Sequence, residues 1–555
     1  MNPATIAAGL EQAFNRLSRS AFADALWSRR LDVWPDDPAA RKSIANRLGW
    51  LDAVEFGTPH LPRLREVASA VRNDGLTDIV LLGMGGSSLA PEVLRRVIGV
   101  APGFPRFRVL DSTDPDAVRE ALASAATSLF VLASKSGSTI EPNVMTAEAQ
   151  RRIRAAGVTD VGSRFIAITD EGTALHQRAR DERFREVFIN PTDIGGRYSA
   201  LSFFGLVPAA LMGIDVDALI ASAREMANAC RHSDPKANPG LALGALMAAA
   251  TRSGRDKLTL LMPAPLEPFG LWVEQLVAES TGKQGKGVVP IAGESFDVPF
   301  GSDRAVVAIE MSGAGAPAEV IERARSTGAP VDTLTMPNTL ALGAEFFRWE
   351  VATATAGFLL DINPFDEPNV QQAKDATRAL LTTYTSEGRL PVPEPHAAVE
   401  GARITLSHAA QDALSGGSPT SFLGLLKPGD YFGLLVYLPP DDTPFAAVLD
   451  EFRTAVARRT RCATMVGYGP RYLHSTGQLH KGGPNTGVFI VVTAPAADDL
   501  DIPGEPYSFG VLEMAQAAGD FQSLDRAGRR ALHLDLPARN AALLRQVTNH
   551  LLNSF

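Results

Sequence analysis

The chain has 555 residues, a net charge of −9 and 45% hydrophobic residues, which is enough apolar material for two α/β cores of ordinary size. The acidic balance, with a pI near 5.6, argues against a nucleic-acid binder, because affinity for the phosphate backbone rests on clustered Lys and Arg. The two cysteines, Cys230 and Cys462, lack CxxC spacing, which argues against a disulfide framework or a thiolate zinc site.

The first 75 residues predict helices that pack on the first core. Their start, MNPATIAAGLEQAFNRL, carries Glu11 and has no cationic segment leading into an apolar run. Longer apolar stretches such as LALGALMAAA (241–250) stop well short of a membrane span. We therefore expect an unprocessed cytoplasmic protein that has no membrane or nucleic-acid partner.

From residue 76 to about 195, short apolar runs alternate with helical patterns. Strands are predicted at 78–82, 106–111, 128–133, 164–169 and 186–190, and helices from 89 and at 114–126, 142–156 and 171–181. This alternation is typical of βαβ units and of a mainly parallel sheet. The stretch GGRYSALSFFGLVPAALMGI (195–214) then opens an apolar helix that we expect between two layers.

The α/β pattern starts again after residue 239. Strands are predicted at 257–263, 305–311 and 331–337, and helices at 240–253, 269–281, 317–326 and 340–360. A Pro/Gly/Ser-rich linker is predicted over 386–420, followed by strands at 431–439, 462–469 and 488–495, helices at 443–459 and 510–519, and a closing strand and helix. We expect domains at 76–230 and 231–385, with 386–555 completing the second.

Two Ser/Gly-rich loops follow predicted strands, GMGGSSLAP at 83–91 and ASKSGSTIEP at 133–142. Strand–loop–helix junctions bind anions, because helix N-termini leave N–H groups unpaired. The first loop is not a dinucleotide fingerprint, since Ser88 stands where GxGxxG requires Gly. The second loop predicts a phosphate site over a plain helix cap, because hydroxyl and cationic side chains crowd a helix start: Ser134, Lys135, Ser136, Ser138 and Thr139.

Five separated motifs, in the same order, resemble the phosphoglucose isomerase family: GMGGSSLAP, SKSGSTIEP, GGRYS (195–199), AESTGK (278–283) and FLLDINPFDEPNVQQAK (358–374). The resemblance implies two sugar-isomerase-type (SIS) domains, each an α/β/α sandwich with a mainly parallel sheet. It implies a glycolytic and gluconeogenic isomerase of glucose 6-phosphate and fructose 6-phosphate that forms a homodimer and uses no metal or cofactor. It also implies that Ser134, Lys135, Ser136 and Thr139 hold the phosphate and that Gly86 and Ser87 contact the sugar.

Isomerisation through a cis-enediol needs a base that moves a proton between neighbouring carbons. A carboxylate suits this role, because burial can raise its pKa toward the working pH. Gln275 and Glu279 stand four residues apart and share one helical face, and their positions match the family's glutamine and catalytic glutamate. Glu274 projects elsewhere, and we expect it to be solvated.

A developing enediolate also needs a nearby cation. Arg197 resembles the family's arginine in this role, and Lys374 resembles the family lysine near the ring oxygen. The chain departs from the family at Glu367, where the usual residue is Gln, at Asn369 and at Gln371. An ionised Glu367 accepts but does not donate hydrogen bonds, so its contact with the sugar must differ from the family's.

Ring opening requires a proton shuttle near neutral pH, which points to histidine. No histidine lies between Glu279 and Asp366, where the family has one. The segment YLHSTGQLHKGGPNTG (472–487) contains a matching context, so His474 is assigned the family role and His480 remains a neighbour of unknown use. The last third therefore carries a displaced segment, and in the family this histidine comes from a partner subunit.

The sequence leaves three alternative interpretations of the function open. Glu367 would allow an isomerase of another 6-phosphorylated or 6-sulfonated sugar. A non-catalytic SIS regulator would keep the two hydroxyl loops but would not need Glu279, Arg197 and Lys374 together. The C-terminal third also resembles the isomerase half of transaldolase fusions, although these residues supply no transaldolase.

Overall fold

The computed structural model describes residues 3–35, 37–391, 393–440 and 443–555, so a few positions of the predicted N- and C-terminal segments lie outside the described residues. The N-terminal segment contains α1 (Pro3–Arg19), α2 (Phe22–Trp27), α3 (Pro38–Ala45), α4 (Ala53–Gly57) and α5 (Leu61–Asn73). Its aromatic side chains join the largest core, where Phe22 stacks on Phe358 at a ring distance of 4.3 Å.

The first sheet is parallel and follows the order β2–β1–β3–β4–β5, which confirms the predicted α/β pattern. Its strands are β1 (Asp78–Leu82), β2 (Arg106–Leu110), β3 (Ser128–Ala133), β4 (Phe165–Asp170) and β5 (Glu186–Asn190), joined by α6 (Leu89–Val97), α7 (Pro115–Ala121), α8 (Ile140–Ala155) and α9 (Ala174–Asp181). Every residue of β1 is buried, as expected for a strand covered on both faces. Ile79 and Leu81 join one core, while Val80 and Leu82 join another.

The second sheet is also parallel, with the order β7–β6–β8–β9. Its strands are β6 (Lys257–Leu261), β7 (Val289–Ile291), β8 (Arg304–Met311) and β9 (Val331–Met336). The helices of this part are α10 (Phe203–Leu211), α11 (Val216–Ala229), α12 (Pro239–Arg252), α13 (Phe269–Thr281), α14 (Ala318–Ser326) and α15 (Leu342–Leu360). All residues of α10 are buried, which confirms the apolar helix predicted between layers. The short strand β7 was not predicted.

The predicted linker at 386–420 is wrong for much of its length. A helix that the sequence reading missed, α16 (Val370–Glu387), ends at Gly388 in the left-handed conformation, with φ of 71°. Strands β10 (Ala397–Val399) and β11 (Ala402–Leu406) then form a hairpin, and α17 (His408–Leu414) follows. Glu400 and Gly401 both have positive φ, as a two-residue hairpin turn requires.

The last part of the chain forms a third sheet with the order β10–β11–β15–β14–β12–β13. Its other strands are β12 (Tyr431–Tyr437), β13 (Ala463–Tyr468), β14 (Gly487–Thr493) and β15 (Arg530–Asp535), and its helices are α18 (Pro444–Thr460), α19 (Gly477–Gly482), α20 (Phe509–Arg526) and α21 (Ala541–Asn553). This sheet is joined to the second through side chains: Glu294 pairs with the buried Arg304 on β8 and accepts the N–H of Thr464 on β13. The domain boundaries themselves stay a prediction.

The fold brings several strand ends, helix ends and loops to one place. The carboxyl ends of β1 and β3, the last turn of α13, the start of α16 and the loop before α19 all face the same cleft. Across the described ranges of the chain, none of the helices is both long enough and apolar enough to cross a membrane.

Candidate active site

A cleft of about 540 Å³ brings together all the site residues predicted from the sequence. These residues are Arg197, Glu279, Lys374 and His474, together with Gly86, Ser87, Ser134, Lys135, Ser136, Thr139, Gln275 and Glu367. They come from all three sheet-forming parts of the chain, and the same chain supplies every one of them. Their placement is therefore established, while their chemical roles stay predictions.

The glycine-rich loop after β1 allows two backbones to meet. A Cβ atom at Gly86 would lie 2.0 Å from the carbonyl oxygen of Gly196, and one at Gly85 would lie 2.7 Å from the carbonyl oxygen of His474. Gly85 also has a positive φ of 55°, which favours glycine. Any side chain here would push apart the loops that carry Arg197 and His474.

The hydroxyl loop after β3 is folded tightly onto the start of α8. The N–H of Gly137 donates to Ser134 Oγ at 3.1 Å, and the Ser138 hydroxyl donates to Ser136 Oγ at 3.0 Å. At the rim, Lys135 pairs with Asp170 and donates to the carbonyl oxygen of Thr192 at 2.9 Å. Hydroxyls and a helix N-terminus converge here, which suits a phosphate group.

Glu279 lies in the last turn of α13 and is almost fully buried. Burial raises the pKa of Glu279 to about 7, although the positive charge of Arg197 lowers it. The side-chain amide of Gln275 donates to Glu279 Oε2 at 3.3 Å, which confirms that the two residues share one helical face. A carboxylate that titrates near neutral pH can both accept and return a proton.

Arg197 uses its whole guanidinium to hold the site together. Nε donates to Ser280 Oγ at 2.7 Å, and Nη2 donates to the carbonyl oxygens of Pro364 and Asp366 at 2.9 and 3.0 Å. Nη1 lies 3.3 Å from Glu279 Oε1 and 2.9 Å from Glu367 Oε2. Burial lowers the pKa of Arg197, but the two carboxylates outweigh it, so the guanidinium stays charged.

Glu367 therefore shares a single nitrogen of Arg197 with Glu279. Burial raises the pKa of Glu367, but the charge of Arg197 outweighs it and holds the pKa below its usual range. Lys283 lies behind this pair and donates to Asp366 Oδ1 at 2.6 Å, and burial lowers the pKa of Lys283 to about 8. Lys283 ends the motif AESTGK, and no role was predicted for it from the sequence.

His474 reaches the cleft from the C-terminal part of the chain. Its Nε2 lies 3.0 Å from Glu141 Oε1, and its carbonyl oxygen accepts a 2.7 Å hydrogen bond from Gln275. Burial alone would raise the pKa of Glu141, but the charge and hydrogen bond of His474 bring it below its usual value. The sequence analysis gave Glu141 no role, although it lies within the motif SKSGSTIEP and in the first turn of α8, with its side chain buried.

Lys374 projects from the first turns of α16 into the cleft and is exposed. Within the described part of the chain, its ammonium group has no hydrogen-bond or ion-pair partner. Such a cation is available to a ligand.

Two nearby titratable residues lie outside the cleft. Glu274, expected to be solvated, is buried instead, where its Oε1 accepts the N–H of Ala292 at 3.1 Å. Burial raises the pKa of Glu274 to about 8. His480 is buried among aromatic rings, with Nδ1 at 3.2 Å from the hydroxyl of Tyr431. Neither residue lines the substrate-sized space.

Comparison with known proteins gives consistent results. The family model described as "Phosphoglucose isomerase" matches residues 69–303. The glucose-6-phosphate isomerase of Cyanothece sp. is 30% identical over 369 residues, covering 58% of this chain and 68% of that protein. The structure of a hypothetical protein from Thermus thermophilus superposes with a TM-score of 0.57 at 26% identity, covering 67% of this chain and 97% of that one. A glucose-6-phosphate isomerase from Chlamydia trachomatis shares the fold, with a TM-score of 0.51 at 20% identity and coverage of 66% and 78%.

Proposed function

The chain belongs to the phosphoglucose isomerase family, and we propose that it is an aldose–ketose isomerase that interconverts glucose 6-phosphate and fructose 6-phosphate. The observation that carries this proposal is the meeting, in one cleft, of the buried Glu279, the Arg197 guanidinium and the hydroxyl loop at 134–139. A non-catalytic sugar-phosphate binder would not require the first two groups beside the third.

In the proposed reaction, the phosphate of the sugar sits on the hydroxyl loop and does not react. The hydroxyls of Ser134, Ser136 and Thr139 and the N-terminus of α8 supply donors and a positive dipole for it. The sugar carbons then extend toward Glu279 between the two glycine-rich loops.

Glu279 acts as the base in this mechanism. Its ionised carboxylate takes the proton from C2 of the open-chain aldose, which leaves a cis-enediolate with its negative charge on O1. A proton then passes from O2 to O1, and Glu279 returns the carbon-bound proton to C1, so that C2–O2 becomes the carbonyl of the ketose. The pKa of about 7 matches this double task, because the group must be ionised for the first transfer and protonated for the second. Arg197, held charged beside Glu279, stabilises the negative oxygen of the intermediate.

Ring opening is assigned to His474, with Glu141 behind it. Ionised Glu141 accepts a hydrogen bond, so the neutral imidazole carries its proton on Nε2 and leaves Nδ1 as the proton acceptor. The imidazole can then move a proton between the ring oxygen and the anomeric hydroxyl. The exposed ammonium of Lys374 lies in the same cleft and can stabilise the ring oxygen as the C–O bond breaks.

Glu367 supports a second candidate within the same chemistry. Because it places a carboxylate where the family has an amide, the sugar hydroxyl facing it must donate rather than accept. A related sugar with a phosphate or sulfonate at C6 would satisfy the same loop, so relative kcat/KM values for these sugars decide between the candidates.

The cellular setting belongs to the proposal as well. We propose a cytoplasmic enzyme of glycolysis and gluconeogenesis that works as a homodimer, as the family resemblance implies. A site completed within one chain is supported by Gln275, whose side-chain amide donates to the carbonyl oxygen of His474 and also to Glu279. The homodimer would therefore not be needed to complete the site.

A coupled assay tests the activity directly. Fructose 6-phosphate is supplied with a chelator, and formation of glucose 6-phosphate is followed through a dehydrogenase that needs no metal. We expect turnover that the chelator leaves unchanged. Absence of turnover with either hexose phosphate, in a protein whose folding is checked by circular dichroism, would overturn the proposal.

A further inference from the structure

A buried chain of hydrogen bonds extends from His474 into the protein. Glu141 Oε1, which faces His474, also accepts a 2.8 Å hydrogen bond from Nε2 of Gln516 on α20. Oε1 of Gln516 in turn lies 2.7 Å from the hydroxyl of Thr113, in the loop after β2. Thr113, Gln516 and Glu141 are 0%, 2% and 4% exposed, so water has little access to compete for these contacts.

The chemistry of the groups fixes the direction of every bond in this chain. Glu141 carries a pKa below its usual value, and an ionised carboxylate only accepts hydrogen bonds. Gln516 must therefore turn its NH₂ group toward Glu141 and its oxygen toward Thr113. The hydroxyl of Thr113 must donate to that oxygen, because a flipped amide would set an oxygen against the carboxylate.

The chain also crosses the boundary between the two regions that build the site. Thr113 and Glu141 belong to the first sheet and its loops, whereas Gln516 and His474 belong to the C-terminal part. Both residues of the C-terminal part thus contact the same carboxylate oxygen of the first part.

We propose that Gln516 and Thr113 are positioning residues for ring opening, which orient Glu141 so that its carboxylate holds the His474 imidazole in the productive tautomer. This inference rests on the proposed isomerase function. Neither residue lines the cleft that contains Glu279, so neither is expected to touch the reacting carbons. Removing the Gln516 donor would let the Glu141 carboxylate rotate and would loosen the imidazole.

The test compares ring opening with proton transfer at carbon in Gln516→Met, a variant of similar length that lacks the donor. Ring opening is measured as exchange between the α and β anomers of glucose 6-phosphate by NMR. Proton transfer is reported by the kinetic isotope effect of [2-²H]glucose 6-phosphate on kcat/KM. We expect anomer exchange to fall about tenfold, the scale of a small misplacement of a catalytic group, and the isotope effect to move toward unity as ring opening becomes limiting.

Thr113 supplies a matched pair for the case in which Gln516→Met fails to fold. Thr113→Ser keeps the hydroxyl and should retain wild-type anomer exchange, while Thr113→Val removes it at similar volume and should slow the exchange. Arg119 on α7 serves as a control for contacts that only hold the C-terminal part against the first part. Its side chain donates to the carbonyl oxygen of Asp498 and does not reach Glu141. Arg119→Gln should leave both measurements unchanged.

The outcomes separate this inference from the proposed function. If the wild-type chain catalyses neither isomerisation nor anomer exchange, the proposed function itself is wrong. If the wild type catalyses both, the inference is overturned by an unchanged isotope effect in Gln516→Met, which would mean that ring opening had not become limiting. An enlarged isotope effect would also overturn it, because proton transfer at carbon would then be the slowed step. Equal anomer exchange in Thr113→Ser and Thr113→Val would overturn the assignment of Thr113.

Discussion

The two sides of the cleft are built in different ways. On the base side, Gln275 and Glu279 stand one turn apart on α13, so local helix geometry alone brings them together. On the ring-opening side, Glu141 and His474 are 333 residues apart and meet only when the C-terminal part packs on the first sheet. The base can therefore be recognised from a short motif, whereas the ring-opening pair depends on long-range folding.

The largest effect is expected on the base side. Glu279→Gln removes the proton acceptor but keeps the shape and one hydrogen-bonding oxygen, so kcat should fall by about 10²–10⁴ while sugar-phosphate binding persists. Steady-state kinetics and direct binding by calorimetry measure the two quantities.

Glu274 provides the matched control for this variant. It lies on the same helix, is buried and has a raised pKa, yet it points away from the cleft. Glu274→Gln keeps the oxygen that accepts the N–H of Ala292, so its kcat should stay close to the wild-type value. Equal losses in the two variants would contradict the assignment of Glu279.

A change on the ring-opening side of the cleft should slow turnover of cyclic substrates more than turnover of open-chain substrates. His474→Ala should slow turnover of cyclic glucose 6-phosphate by about 10²-fold, while an open-chain aldose phosphate reacts at nearly the wild-type rate, because it has already passed the step that needs the shuttle. The measurement is kcat/KM for the two substrates. If both are slowed equally, the segment around His474 has a structural role instead.

The phosphate loop should affect binding more than chemistry. Changing Ser136 and Thr139 together to Ala removes donors to a group that does not react, so KM should rise about tenfold with kcat little changed. For a phosphate-free sugar, kcat/KM should differ little between the wild type and the variant. An unchanged KM for the phosphorylated sugar would mean that the phosphate binds elsewhere.

The smallest effect is a shift in pH dependence at Glu367. Glu279 must be ionised to act as base, so activity should fall as pH drops through its pKa of about 7. Burial is the main cause of that raised value, and the negative charge of Glu367 raises it further. Glu367→Gln removes this negative charge, so that Glu279 becomes the one carboxylate paired with this nitrogen of Arg197. The pKa of Glu279 should therefore fall, and the acidic limb of the kcat/KM profile should move to lower pH. A shift toward higher pH would contradict this account.

Much of the first two sheets could be predicted from the sequence, because buried parallel strands such as DIVLL and SLFVL are continuous apolar runs bounded by glycine-rich loops. The cleft residues were identified through motifs that resemble those of the phosphoglucose isomerase family, and the fold places each of these motifs beside the cleft. The position of His474 followed from its local motif, although no histidine occurs at the usual place in the chain.

The rest depends on contacts that no local pattern reveals. Glu274 is buried although it lies off the Gln275–Glu279 face, because β7 and the residues after it cover the opposite side of α13. Helix α16 and the β10–β11 hairpin were missed because Pro, Gly and Ser nearby indicated a linker. The proposed roles of Glu141 and Gln516 depend on tertiary packing, because their hydrogen-bond partners lie hundreds of residues away in the sequence.

The central claim is that one chain completes its own site with His474, and a mixed-variant experiment tests it most directly. Glu279→Gln and His474→Ala chains carrying different tags are produced together, and any mixed assembly is purified through both tags. Because each chain lacks one of the two groups, we predict that mixed assemblies, or the separate chains if none form, show only the residual activities of the single variants. Recovery of a substantial fraction of wild-type turnover would mean that His474 acts on the partner subunit's cleft, and would contradict the account.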